Sequence, residues 1–251
     1  MSGKRAPEQS REGHWERLRQ RFEKGGLAGF NDYEVIELLL TLARERGDVK
    51  PEGKEAIRQF KSVRGVLDAP RDDLERIPGI GKASSFAIKL VRALADYYYG
   101  ERLQPGASPL TNSREVVDYL RVHMGSRDRE TFLVVYLDAQ NRPTAEPQAL
   151  FEGTLTSSAV YPREVLKSAL KHNAASLIFA HNHPSGCVEP STNDRDITRE
   201  LVLAASLMDV RVLDHIVVGA DSHYSFADHG LIREYSKQAA DFQESRGRGG
   251  A

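Results

Sequence analysis

The sequence predicts a two-part chain, a small all-α region followed by an α/β (α+β) domain whose mixed sheet is flanked by helices. Three observations carry this. Between Trp15 and Tyr99 apolar residues fall in helical clusters such as Val35, Ile36, Leu38, Leu39 and Leu42, with no alternating strand. At Glu101-Arg-Leu-Gln-Pro-Gly-Ala-Ser-Pro109 two prolines and a glycine break any periodicity, which marks a linker. Beyond it, short apolar runs such as Phe132-Leu-Val-Val-Tyr-Leu137 alternate with helical stretches, as in a chain that interleaves strands and helices.

Taken in order, residues 1–14 are polar and charged without periodicity and read as a disordered tail. Residues 15–100 form the helical domain and 101–112 the linker. The domain at 113–240 opens on a helix that Ser113 can cap, with Val116, Val117 and Leu120 on one face. Phe132–Leu137 is a strand and Ala149-Leu-Phe151 ends another. Pro162 suits the first turn of a helix running through Val165, Leu166 and Leu170. Ala175-Ser-Leu-Ile-Phe-Ala180 reads as a buried strand, followed by a helix from about Asn193 to Met208, a strand from Val210 to Val218 and a short edge at Tyr224-Ser-Phe226. Residues 241–251, rich in Gly and charge, read as a second disordered tail.

Composition bounds the function. With 40% hydrophobic and 28% charged residues in 251, the chain has the balance of a soluble globular protein. No stretch approaches the roughly 18 apolar residues of a membrane span, and the charged start lacks a signal-like apolar core, so no membrane partner is expected and the cytoplasm is the expected compartment. A single cysteine, Cys187, rules out an internal disulfide. Residues 1–100 carry 19 Lys+Arg against 16 Asp+Glu (+3), leaving 16 against 20 (−4) beyond, so the whole-chain field will not pull strongly on nucleic acid.

Within the helical half, Leu74-Glu-Arg-Ile-Pro-Gly79-Ile-Gly81-Lys82 precedes an apolar stripe at Ala83, Ala87, Leu90 and Leu94. Glycines at 79 and 81 let a tight turn expose backbone N–H groups beside a helix N-terminus, a place suited to a phosphate, with Lys82 adding charge. The plainer reading is a structural turn between packed helices. The stretch from Phe60 through Leu94 resembles the helix-hairpin-helix modules of DNA repair proteins, which implies DNA as a possible partner through backbone contacts at Gly79, Gly81 and Lys82, or a protein-interaction unit.

The chemistry concentrates in the second half. His181-Asn182-His183-Pro184 follows the buried strand, so His181 and His183 project to one side of its end, and Ser191 and Asp194 follow at short spacing. His-x-His taken singly reads as two exposed strand-end side chains. With Asp194 folding back at the start of the next helix, three protein ligands leave a coordination position open, as a catalytic zinc site requires. Glu152, between an apolar strand and the Pro162 helix, is the candidate general base, and Ser191 the candidate oxyanion donor.

Glu152, His181-x-His183 and Ser191-x-x-Asp194 resemble the signature of the JAMM (MPN-plus) metalloproteases. The wording His-Asn-His-Pro-Ser-Gly, then Pro190-Ser191, Asp194 and Leu213-Asp-His-Ile-Val-Val-Gly219, resembles the bacterial RadC family, which joins a helix-hairpin-helix region to a JAMM-like domain. The resemblance covers about residues 20–235. It implies one Zn2+ held by His181, His183 and Asp194, with Glu152 as base and Ser191 as oxyanion partner, and metallopeptidase or isopeptidase activity on a peptide or protein substrate. Asn182 departs from the Ser or Thr usual in isopeptidases, so ubiquitin-like substrates do not follow. The alternative is a DNA-associated repair or recombination accessory protein whose metal site is structural or acts on nucleic acid. Manganese or iron also suits the donor set.

Three further features invite a role and have plainer readings. Asp214-His215 could steer a ligand imidazole or be a strand-entry pair bonded to backbone. Cys187 could join the site or be a surface thiol. Tyr97-Tyr98-Tyr99 could stack on bases or pack a helix end.

Overall fold

The structure, a computed structural model, describes residues 9–44, 47–125, 127–153, 160–219 and 222–248. Two compact units share the chain, residues 1–95 and 96–251.

In the first unit α1 (Gln9–Gly25), α2 (Asp32–Leu40), α3 (Lys50–Phe60), α4 (Val63–Asp68), α5 (Arg71–Glu75) and the start of α6 (Lys82–Gly100) surround a core of Ile36, Leu40, Ala56, Val66, Leu74, Ile77 and Ile88. Caps punctuate this unit. Asn31 and Glu34 form a capping box at α2, and the Ser62 hydroxyl accepts from Gly65 N at 3.0 Å at α4. Residues 9–14, expected to be a disordered tail, are the first turns of α1. His14 lies 2.8 Å from the buried Glu37 carboxylate on α2, a tie 23 residues away that no local pattern announces.

The second unit contains α7 (Ser113–Met124), β1 (Thr131–Leu137), β2 (Gln148–Glu152), α8 (Pro162–Lys171), β3 (Ser176–Asn182), α9 (Thr192–Ser206), β4 (Arg211–Val218), β5 (His223–Ser225) and α10 (Leu231–Arg248). The strands form one mixed sheet in the order β2-β1-β3-β4-β5. Only the β3–β4 pair is parallel, linked by a crossover through α9. Phe132, Val134, Tyr136, Leu177, Phe179 and Val217 face a core completed by Val165, Ile197, Leu201 and Tyr235 from α8, α9 and α10. Leu133, Val135, Leu137, Ile178, Ala180, Ile216 and Val218 face Val116, Val117, Leu120 and Met124 of α7. Because helices cover both faces, β1 and β3 are buried at every position, which is why they read as apolar runs instead of alternating patterns.

Three further boundaries differ from expectation. The 101–112 segment is no free linker. Glu101–Leu103 forms a 3-10 turn, and Leu103 and Leu110 are buried in the α7-side core, so its prolines and glycine shape a packed strap. α7 is capped by Asn112, whose side chain accepts from Glu115 N at 3.2 Å, with Ser113 inside the helix. Residues 241–248, expected to be a tail, continue α10, where Gln243 Nε2 donates to Ser206 Oγ of α9 at 3.3 Å. Among the described residues no helix is long and apolar enough to cross a membrane.

Candidate metal centre

β3 delivers His181 at its buried end and His183 one residue beyond it, where His183 N donates to Val218 O of β4 at 3.1 Å. The chain then turns through Gly186, whose φ of +79° is a left-handed conformation that glycine adopts without strain. Ser191 caps α9. Its Oγ accepts from Asp194 N at 3.2 Å, while Asp194 Oδ2 accepts from Ser191 N at 2.7 Å and from Ser191 Oγ–H at 2.6 Å. This capping box aims the buried Asp194 carboxylate back at the histidines.

The three donors converge. His181 Nε2 lies 3.0 Å from His183 Nε2 and 3.2 Å from Asp194 Oδ1, and His183 Nε2 lies 3.5 Å from Asp194 Oδ2. Taking one ligand atom from each residue, the three lie within 4.8 Å of one another, close enough to hold a metal ion. Burial opposes the charge of Asp194, yet the adjoining His181 and His183 imidazoles and the Ser191 hydroxyl hold its carboxyl far below the usual carboxylate range. Hydrogen bonding to Asp194 raises the His183 imidazole, against the effect of burial. A site that gathers one carboxylate and two imidazoles so tightly is suited to a cation.

Each imidazole has a partner on its other nitrogen. His183 Nδ1 donates to Cys187 O at 2.6 Å, so Cys187 contributes its carbonyl to the centre while its thiol is exposed. His181 Nδ1 lies 2.8 Å from Nε2 of His215, on the neighbouring β4, and His215 Nδ1 lies 2.6 Å from Thr198 Oγ1. His215 is fully enclosed, stacked on Phe226 with centroids 4.9 Å apart, and burial pushes its imidazole well below the ordinary range. Asp214 turns away from the centre. Its carboxylate accepts from Ser225 Oγ, His215 N and Ala227 N, and burial raises its pKa. Of the pair singled out in the sequence, the histidine alone supports a ligand.

Asn182, between the two histidines, is buried and stitches β3 to the segment before β1. Its Oδ1 accepts from Thr131 N at 2.8 Å and its Nδ2 donates to Arg127 O and Arg129 O at 3.2 and 3.0 Å. A serine or threonine hydroxyl is too short to bridge these three groups.

The stitched segment carries Glu130, which the sequence reading passed over. In the β1–β3 register Phe132 pairs with His181, and continuing that register two residues past the paired strands would bring Glu130 opposite His183, on the same face. Its charge is among those that raise the His183 imidazole. Glu152, the base expected from the sequence, lies elsewhere. It pairs with Thr131 at the end of β2, one residue beyond Phe151, which shares the face of Phe132 and His181, so the pleat directs Glu152 to the opposite face. There its side chain, 60% exposed, receives a 3.4 Å contact from Arg127 Nη1. Ser191 stands beside the centre, with its one hydroxyl proton committed to Asp194 Oδ2.

In the helical unit Gly79 has φ +95°, and a Cβ there would fall 2.3 Å from Glu52 Oε1. The Glu52 carboxylate, paired with Arg44 at 2.8 Å, therefore packs against the turn, which makes Gly79 a packing requirement. Gly81 faces open space, and Lys82 is exposed at the start of α6.

Residues 110–231 match the family described as the RadC-like JAB domain. Relatives span nearly the whole chain. A UPF0758 protein of Burkholderia cenocepacia (strain HI2424) is 43% identical over 224 residues, 88% of this chain and 86% of its own length. A UPF0758 protein of Janthinobacterium sp. (strain Marseille) is 41% identical over 217 residues, 86% of this chain and 96% of its own, and one from Chromobacterium violaceum is 40% identical over the same shares. An N-terminal helical region and a mixed five-stranded sheet flanked by helices agree with the JAB/MPN-like fold. On these matches, the chain belongs to the RadC (UPF0758) family.

Proposed function

We propose that this chain is a metal-dependent hydrolase that cleaves an amide or isopeptide bond in a peptide or protein substrate, with Zn2+ held by His181, His183 and Asp194. The convergence of these three residues, one ligand atom of each within 4.8 Å of the others, carries the reading. When bound, such a cation supplies Lewis acidity toward a carbonyl and a water acidic near neutrality. The side chains supply the rest. Glu130, on the same face as His183, takes a proton at its carboxylate from the attacking water and returns it to the leaving amine nitrogen. Ser191 Oγ–H, once released from Asp194 Oδ2, donates to the developing oxyanion. Glu130 takes the role that the sequence reading gave Glu152, whose side chain leaves the opposite face.

DNA remains the second substrate class, through the hairpin at Gly79, Gly81 and Lys82. Little favours it, because the anionic Glu52 packs against that turn. Parallel assays on peptide, isopeptide-linked and DNA substrates, with and without chelator, separate the readings. Chelator-sensitive peptide cleavage that Glu130→Gln abolishes supports the proposal. Chelator-sensitive DNA cleavage with inert peptides would overturn it.

A further inference from the structure

We infer that His215 and Thr198 form a positioning relay that fixes the tautomer of His181 and ties it to Asp194, so that the cation site is assembled before any cation arrives. The inference rests on the metal reading above and adds the means by which the fold prepares the site.

The direction of the relay follows from its far end. Thr198 Oγ1 lies 2.5 Å from the Asp194 backbone carbonyl, which can only accept, so the hydroxyl proton points there. Thr198 Oγ1 is then left to accept from His215 Nδ1, 2.6 Å away, which therefore carries a hydrogen. With that hydrogen on Nδ1, neutral His215 presents a lone pair at Nε2, and His181 Nδ1, 2.8 Å away, donates to it. His181 is left with its free lone pair on Nε2, the atom facing His183 and Asp194. Each bond along the path then has one hydrogen and one lone pair, and reversing the His181–His215 bond would require either a buried imidazolium at His215 or a Thr198 lone pair set against the Asp194 carbonyl.

The circuit closes on the ligand set. It starts at a ligand on β3, passes through β4, enters α9 at Thr198 and ends on the backbone of the ligand Asp194. His181, His215 and Thr198 are all buried. The rings of Phe226 stacked at 18°, Phe132 edge-on at 73° and Phe179 edge-on at 88° hold the His215 plane. Metal-bound histidines usually donate to a carboxylate or carbonyl. Here a neutral imidazole takes that position, so the three-residue set keeps a single negative charge and leaves more positive charge on a divalent cation to polarise what it binds.

The test measures Zn2+ affinity of the full chain by competition with a chromogenic chelator, for the parent and for His215→Phe, Thr198→Val and Thr198→Ser, with circular dichroism and melting to confirm folding. His215→Phe and Thr198→Val should each weaken Zn2+ binding roughly 10–100-fold, while Thr198→Ser, which keeps the hydroxyl, stays within about threefold of the parent. Should His215→Phe not fold, the Thr198→Val and Thr198→Ser pair decides. Imidazole 15N shifts give a readout independent of affinity, with His181 in the Nδ1–H form in the parent and mixed in Thr198→Val. Folded variants that bind Zn2+ as the parent does overturn the relay while leaving the metal reading intact. A parent that takes up no Zn2+ overturns both.

Discussion

Replacing Asn182 with alanine removes three hydrogen bonds at once, one of them fully buried. The amide holds Thr131 N, Arg127 O and Arg129 O at 2.8, 3.2 and 3.0 Å. Each such bond contributes about 0.5–1.5 kcal/mol, and an orphaned buried N–H costs about 1–3 kcal/mol, so the loss should come to about 3 kcal/mol. In a domain of this size each kcal/mol moves Tm by about 2–4 °C, which gives a drop of about 6–12 °C. Thermal melting measures that figure, and hydrogen exchange locates it, because the Thr131 amide loses its acceptor and should lose protection. Zn2+ affinity should change little, since neither imidazole nor Asp194 touches the Asn182 side chain. A Tm within about 2 °C of the parent, with the Thr131 amide still protected, would refute the role given to Asn182.

Glu130→Gln should lower hydrolysis by roughly 10²–10⁴-fold with metal content unchanged, whereas Glu152→Gln should stay within a few fold; the opposite ranking would restore Glu152 as base. Gly79→Ala should destabilise the helical unit by roughly 1–2 kcal/mol or more because of its φ and the Glu52 carboxylate, while Gly81→Ala, which faces open space, should be nearly neutral in denaturant titrations. The hydrogen bond from Arg21, with help from Asn31, lowers the Glu34 carboxyl from 4.5 to about 2. A carboxyl depressed on folding stabilises fully above its unfolded value and loses that contribution as pH falls, here between about 4.5 and 2. Because Arg21 is half-exposed the pair is worth only about 1 kcal/mol, and Glu34→Gln should flatten the acid limb of the stability curve by that amount.

The parts of this chain legible in its sequence are those set by local pattern. β1 and β3 stand out because burial on both faces makes them continuous apolar runs. His181, His183, Ser191 and Asp194 stand out because a strand end, a turn and a capped helix bring them together within 14 residues, and the capping box that orients Asp194 is itself a sequence signature. What was missed depends on pairing across the sheet. Glu130 lies 53 residues from His183 and is aligned with it only by the β1–β3 register, where a shift of one residue would send it to the other face, as happens to Glu152. His215 reaches His181 from 34 residues away through the parallel pairing of β3 and β4. The helical turns at 9–14 and 241–248 lack strong amphipathic patterns. The long-range bonds from His14 to Glu37 and from Gln243 to Ser206 help hold them.

The most direct measurement is elemental analysis of the freshly purified chain beside a His181→Ala/His183→Ala double variant of confirmed fold. Three converging donors with tautomers fixed by Cys187 O and His215 predict about one divalent metal per parent chain and almost none in the variant. Equal metal content in the two would contradict the metal centre itself.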